Sequence, residues 1–113
     1  MIDLEHMWVL ASLLAHLIAG EAGTCDADGK FAVAHVHANR GGVAVGWYGD
    51  AEPSDLDWEV ALTWKSVEDP TQGARYLFSA QDLQLPAVQR LLEGREQTAT
   101  FDCARGLRLT AWR

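Results

Sequence analysis

The feature of this sequence that most constrains its fold is an apolar stripe near the start of the chain. Apolar residues recur there at steps of three and four positions: Leu4, Met7, Trp8, Ala11, Leu14, Ala15 and Ile18. That spacing is typical of a helix with one apolar face, and it predicts an amphipathic α-helix over residues 3–20. The most apolar part, residues 7–19, is too short to span a bilayer, which excludes a transmembrane helix there.

A second apolar segment, residues 28–40, follows a short polar loop. It is apolar almost all round, so a buried helix and a buried strand both fit the pattern, but its length and its alanines favour a helix. Asp26 or Asp28 would cap the N-terminus of that helix. Residues 41–50 form a glycine-rich link, which we interpret as a loop with room for a short strand.

A third helix is predicted after this link. Ser54 and Asp57 have the relative spacing of a capping box, which is typical of a helix N-terminus. The predicted buried face of this helix consists of Leu56, Val60, Trp64 and Val67. Pro70 and Gly73 follow the predicted end of the helix near Glu68 and would prevent its continuation.

The last third of the chain predicts strands and one short helix. Residues 75–79 favour an extended conformation, and residues 86–93 favour a short helix with Pro86 in its first turn. Residues 98–103 and 107–112 alternate in polarity around a glycine-containing turn. They therefore predict a β-hairpin at the C-terminal end of the sequence.

Composition and charge narrow the class of protein. A chain of 113 residues with 49% hydrophobic and 22% charged residues can build a real core, which excludes intrinsic disorder. With the elements above, we predict one domain over residues 1–113, of the α+β class, mainly helical, with a C-terminal β-hairpin. A net charge of −7 without a basic patch argues against nucleic acid and anionic membranes as partners, and we expect a monomer.

Two cysteines are present, and their spacing leaves their redox state open. Cys25 and Cys103 could form one disulfide across a long loop or remain as two reduced thiols. We favour reduced thiols.

Glu21 is the residue that most strongly suggests catalysis. It follows Ile18 by three residues and Leu17 by four, which aims its carboxyl group along the apolar face where the helix is predicted to stop. Loss of solvation there would raise the pKa of the carboxyl, so that it could hold a proton near neutral pH. Such a group can act as the general acid of glycoside cleavage. The alternative is that Glu21 turns into water at a frayed helix end.

Two stretches of the sequence together resemble one known family. The first contains LIAGEAG at residues 17–23, GKFAVA at 29–34 and NR at 39–40, and the second is DPTQGARYLF at residues 69–78. They resemble the Glu-Ala pair, the buried helix that begins with Gly-Lys and ends with Asn-Arg, and the Asp-Pro-Thr-Gly-Gly-Ala segment of the SleB-type cell wall hydrolases, also called spore-cortex-lytic enzymes. The sequence departs from the family in the loop after Glu21 and in a shortened middle, residues 41–56.

The resemblance implies a lysozyme-like fold and cleavage of the glycan strands of peptidoglycan, with Glu21 as the catalytic acid and no cofactor. It also implies similarity to lytic transglycosylases, in which one glutamate protonates the glycosidic oxygen and then acts as the base that yields a 1,6-anhydro product. We favour this reaction. The alternatives are a hydrolytic muramidase, an N-acetylmuramoyl-L-alanine amidase of the same family, and a non-catalytic peptidoglycan-binding or structural module.

The start of the chain is acidic and does not resemble a secretory signal. We therefore expect synthesis in the cytoplasm and action on the cell wall after release or delivery, as for a phage lysin.

Further residues are candidates for binding the glycan, either through turn backbone groups or through aromatic faces that stack on a pyranose. They are Thr71, Gln72, Gly73, Ala74, Tyr76, Trp47 and Tyr48. Turn formation and core packing are the alternatives for each of them. His35 and His37 stand two residues apart and would point to different sides of a helix, so we expect no metal site.

Overall fold

The computed structural model describes residues 4–41 and 51–113. Within these residues the chain forms four α-helices, which are α1 (Leu4–Ala22), α2 (Ala27–Asn39), α3 (Asp55–Thr63) and α4 (Pro86–Leu92). Three strands form one antiparallel sheet in the order β1-β3-β2, with β1 (Tyr76–Ser79), β2 (Gln97–Asp102) and β3 (Arg108–Trp112). The predicted α+β class, mainly helical with a C-terminal hairpin, is confirmed. Among the helices described, none is both long and apolar enough to cross a membrane.

The helix starts follow from side chains that accept hydrogen bonds from free backbone N–H groups. Asp26 caps α2, because its Oδ1 accepts a bond of 3.3 Å from the Gly29 amide. At α3 the predicted capping box is present in both directions. Ser54 Oγ accepts from the Asp57 amide at 3.2 Å, and Asp57 Oδ2 accepts from the Ser54 amide at 2.8 Å.

The predicted length of the third helix was wrong. Helix α3 ends at Thr63 and tightens into a 3₁₀ turn over Trp64–Ser66. The Val67 amide donates to the Trp64 carbonyl at 3.2 Å, the three-residue pattern of that turn, so Val67 leaves the helical face. Its side chain is 37% exposed instead of buried as predicted.

The core lies between the first three helices and one face of the sheet. Its buried members come from α1, the following loop, α2, α3 and β3: Ala15, Leu17, Ile18, Ala22, Cys25, Val33, Val60, Ala61 and Leu109. A smaller apolar cluster of Val36, Ala74 and Ala111 joins α2 to the sheet. The helices therefore cover the sheet face that carries Leu109.

A buried lysine joins the three long helices inside this core. Lys30 on α2 is only 2% exposed, and its Nζ lies 2.5 Å from Asp57 Oδ1 on α3. The same Nζ donates to the Ala22 carbonyl at 3.0 Å and to the Gly23 carbonyl at 3.3 Å, at the C-terminal end of α1. One ammonium group therefore connects the end of α1 to both neighbouring helices.

The cysteines form a disulfide, so the expectation of reduced thiols was wrong. Cys25 and Cys103, separated by 78 positions in sequence, are covalently joined. The bond links the loop after α1 to the residue after β2. Gly29 lies against it, because a Cβ atom at that position would stand 2.7 Å from the Cβ of Cys25. A side chain at position 29 would therefore displace the disulfide.

We expect Asp57→Asn to lower the free energy of unfolding by about 3–5 kcal/mol, because it leaves the Lys30 ammonium buried without an opposite charge. Asparagine keeps the size of the side chain and can still accept the capping bond. The matched control is Asp55→Asn, an exposed position in the first turn of the same helix, which should cost less than about 1 kcal/mol. Urea unfolding measures both, and equal losses in the two variants would contradict the expectation.

We expect the double variant Cys25→Ser/Cys103→Ser to lose about 2–5 kcal/mol of stability, because the disulfide closes a long loop in the unfolded chain. Thermal unfolding with and without a reducing agent measures this. The reductant should lower the Tm of the wild type and leave that of the double variant unchanged. A wild-type Tm that does not respond to full reduction would argue against a stabilising disulfide.

Candidate functional site

Glu21 lines the cavity around which the candidate site is built. It lies in the last turn of α1, which continues to Ala22 instead of stopping before the glutamate. The cavity has a volume of about 300 Å³ and is lined by Gly20, Glu21, Leu77, Ser79, Asp82, Leu107 and Leu109. Helix α1 provides one side of it, and the opposite side comes from β1, the turn after β1, and the hairpin.

The environment of Glu21 favours its protonated form. Part of the side chain is open to solvent at the cavity, yet the surrounding protein removes enough water that desolvation raises the pKa of the carboxyl above its usual value of 4.5. The positive charge of Arg40, at the end of α2, acts to lower that pKa, and the negative charge of Asp82 acts to raise it. The net direction is upward, as the sequence predicts.

The last turn of α1, which carries Glu21, is held in place by Lys30 and by the disulfide. The Lys30 ammonium donates to the carbonyls of Ala22 and Gly23, which directly follow the glutamate. Those carbonyls are at the negative end of the helix dipole, where a cation is favourable. Three residues past Ala22, Cys25 is fixed by the disulfide. The backbone on the C-terminal side of Glu21 is therefore anchored twice.

Asp82 shares the cavity with Glu21 and is the residue that the sequence reasoning missed. It begins a 3₁₀ turn over Asp82–Gln84, directly after β1. The Asp82 amide donates to Ser79 Oγ at 3.1 Å, and the Ser79 amide donates to Asp82 Oδ2 at 3.4 Å. This reciprocal Ser-x-x-Asp pattern repeats the spacing of Ser54 and Asp57, and that repeated spacing is the signal that could have found the turn.

Asp69 has a structural role in this conformation. Its carboxylate accepts bonds from the Thr71 amide (2.8 Å), the Thr71 hydroxyl (2.6 Å), the Gly73 amide (3.0 Å) and Asn39 Nδ2 (3.0 Å). Burial acts to raise the pKa of Asp69, but the hydrogen bonds from Thr71, Asn39 and Gly73 outweigh it and hold the pKa below its usual value. The second resembling motif therefore folds as a turn that is fastened to the end of α2.

Among the glycan-binding candidates, those within residues 51–113 do not line the cavity that holds Glu21. Thr71 and Ala74 are fully buried, and so their side chains are not accessible to a ligand. Gln72 and Gly73 are exposed at the tip of the turn, with positive φ angles of 56° and 83°. Their expected contact with a glycan stays a prediction, and that of Trp47 and Tyr48 falls on residues outside those that the structure describes.

Tyr76 lies on the other face of the sheet. Side chains alternate along a strand, so the face of β1 that presents Leu77 and Ser79 to the cavity is opposite to the face that carries Tyr76 and Phe78. The Tyr76 ring is parallel to the Phe78 ring with centroids 6.3 Å apart, and the Arg95 guanidinium lies 4.6 Å from its centroid. The tyrosine ring already has these two neighbours, and a sugar that stacked on it would compete with them.

The two histidines of α2 have different neighbours. The His35 ring meets Trp64 edge-on, with centroids 5.2 Å apart. Burial and the positive charge of Arg40 lower the pKa of His37. Within residues 4–41 and 51–113, no three or more His, Cys, Asp or Glu side chains are grouped as metal ligands would be.

Comparisons with protein-family models, with curated proteins and with solved structures found no match to this chain.

We expect Glu21→Gln to stabilise the protein at pH 7 relative to the wild type, and to stabilise it much less at pH 4. A raised pKa means that the folded state holds the proton more tightly than the unfolded state does, so wild-type stability falls as pH rises above the ordinary pKa of 4.5. The neutral amide removes that loss. Thermal unfolding at the two pH values measures the difference, with Glu59→Gln on the exposed face of α3 as the control. A gain that is independent of pH, or equal in the control, would contradict the expectation.

Proposed function

We propose that this protein cleaves the glycan strands of peptidoglycan by lytic transglycosylation, with Glu21 as the catalytic acid. The observation that carries the proposal is the Glu21 carboxyl, which lines a cavity and whose pKa is raised by desolvation. A carboxylic acid whose pKa is raised keeps its proton to a higher pH than a free one does, and it can donate that proton to the oxygen of a glycosidic bond.

The proposed reaction needs one group that acts twice. The Glu21 carboxyl gives its proton to the glycosidic oxygen, the bond from that oxygen to the anomeric carbon breaks, and positive charge develops on the muramyl ring. The Glu21 carboxylate then accepts the proton of the muramyl 6-hydroxyl, whose oxygen bonds to the anomeric carbon. The products are a shortened strand and a 1,6-anhydromuramyl end, and the acid is regenerated without consumption of water.

The relation between the two resembling motifs supports the proposal. The first motif contains Glu21, and the second ends in β1, whose Leu77 lines the same cavity. Stretches that are about fifty residues apart in the chain therefore contribute to one cavity, as expected if the resemblance to the SleB-type cell wall hydrolases reflects a common function. The bonds between Asp69 and its turn fix where β1 begins, which gives the second motif a role in shaping the site.

Mass spectrometry of the soluble fragments released from purified peptidoglycan tests the proposal. We expect the wild type and the control Glu59→Gln to release fragments that end in 1,6-anhydromuramic acid. Glu21→Gln should release at least about 100-fold less, because the amide has no proton to donate to the leaving oxygen. The soluble products of each protein are compared at equal concentration and pH.

Other products would point to the alternatives. If the wild type releases fragments with reducing muramyl ends and Glu21→Gln does not, Glu21 is still the catalytic acid but the reaction is hydrolysis instead of transglycosylation. Released stem peptides would indicate an amidase. Binding to peptidoglycan without any released product, unaffected by Glu21→Gln, would favour a non-catalytic binding module and refute the proposal.

A further inference from the structure

We propose that Asp82 is the second acidic group of this site, a carboxylate that stabilises the positive charge on the sugar ring and keeps the proton on Glu21. The inference rests on the proposed function and extends it, because the favoured reaction was expected to need one glutamate alone. It assigns a role to a residue that lies outside both resembling motifs, four positions after the second one ends.

The composition of the cavity wall supports this role. Among the described residues that line the cavity, Glu21 and Asp82 are the only two with ionisable side chains. Three of the others are leucines, Leu77, Leu107 and Leu109. Charges interact more strongly beside apolar walls than in open water, so a carboxylate there acts on both the neighbouring acid and a bound cation.

The Asp82 side chain is held by its own turn. Ser79 lines the cavity too, and its amide holds Asp82 Oδ2 while its hydroxyl accepts from the Asp82 amide. Asp82 Oδ1 makes no hydrogen bond with the described residues. One oxygen therefore has a long hydrogen bond to its own turn, and the other is available to a bound sugar.

The charges around Glu21 also support this role. Among the residues that the structure describes, the charged groups that act on its carboxyl are Arg40, at the end of α2, and Asp82, in the turn after β1. Arg40 has the larger effect of the two and favours ionised Glu21, while Asp82 favours protonated Glu21. The negative charge of Asp82 therefore adds to desolvation in opposing premature loss of the catalytic proton. As the glycosidic bond breaks, the same charge is attractive to the oxocarbenium-like ring.

Asp82→Asn is the variant that separates charge from structure. The amide oxygen of asparagine can still accept the bond from Ser79, so we expect the fold to be retained, with a Tm close to that of the wild type. Glycan-strand cleavage should fall by about 10²–10³-fold in kcat with a smaller change in KM, the effect typical of the loss of one electrostatic group. The basic limb of the pH profile should move to lower pH, because Glu21 then loses its proton more readily.

Two further variants serve as controls. Asp28→Asn changes the net charge equally at an exposed position outside the cavity and should cleave like the wild type across the pH range. Asp82→Glu keeps the charge and should retain more activity than Asp82→Asn, with a basic limb near that of the wild type. If Asp82 had only a structural role, its substitution would not shift the pH profile, and Asp82→Glu would have no reason to be more active than Asp82→Asn.

The outcomes are distinct for the two proposals. If Asp82→Asn cleaves within twofold of the wild type with an unchanged pH profile, while Glu21→Gln is inactive, the role of Asp82 is refuted and the proposed function stands. If Asp82→Asn loses activity but Asp82→Glu is equally inactive with an unshifted profile, charge is not the cause and the inference also fails. A wild type that releases no fragments refutes both.

Discussion

The fold depends on the buried ion pair between Lys30 and Asp57. A lysine with 2% exposure is tolerated only because Asp57 lies 2.5 Å from its ammonium and two carbonyls at the end of α1 accept its remaining protons. Asp57 in turn caps the helix on which it stands. Burial of the pair requires that α1, α2 and α3 adopt one relative arrangement, since a shift of any of them would leave a charge without its partner.

That arrangement decides where the candidate site can form. Because Lys30 and the disulfide hold the backbone that follows Glu21, the last turn of α1 keeps its place beside the cavity, and the partly exposed carboxyl lines it. On the opposite side, the Asp69 turn leads into β1, and the Ser79 turn carries Asp82. The site therefore lies between two turns that are each stabilised by local hydrogen bonds, which favours preorganisation over rearrangement on binding.

Periodicity and capping predicted the helices well because both are local properties of the chain. The amphipathic stripe of α1 and the Ser54 capping box are read within one or two turns. The partner of Lys30 stands 27 residues away and that of Cys25 78 residues away, so no local pattern pairs them, and the disulfide was mispredicted. Glu21 could be singled out because an acid on an apolar face is unusual. Asp82 could not, since its importance arises only where the sheet meets α1.

Four carboxylates of this chain show why residue type alone does not define a site. Asp57 is neutralised by a buried cation, and Asp69 is occupied by four hydrogen bonds, so both are committed to structure. Glu21 and Asp82 instead line a cavity beside three leucines, where desolvation raises the pKa of Glu21 and one oxygen of Asp82 has no partner among the described residues. A group that is already satisfied by the protein has little left to offer a substrate. Catalysis is therefore expected at Glu21 and Asp82. Asp57 and Asp69 instead hold in place the helices and the turn that bring those two residues to one cavity.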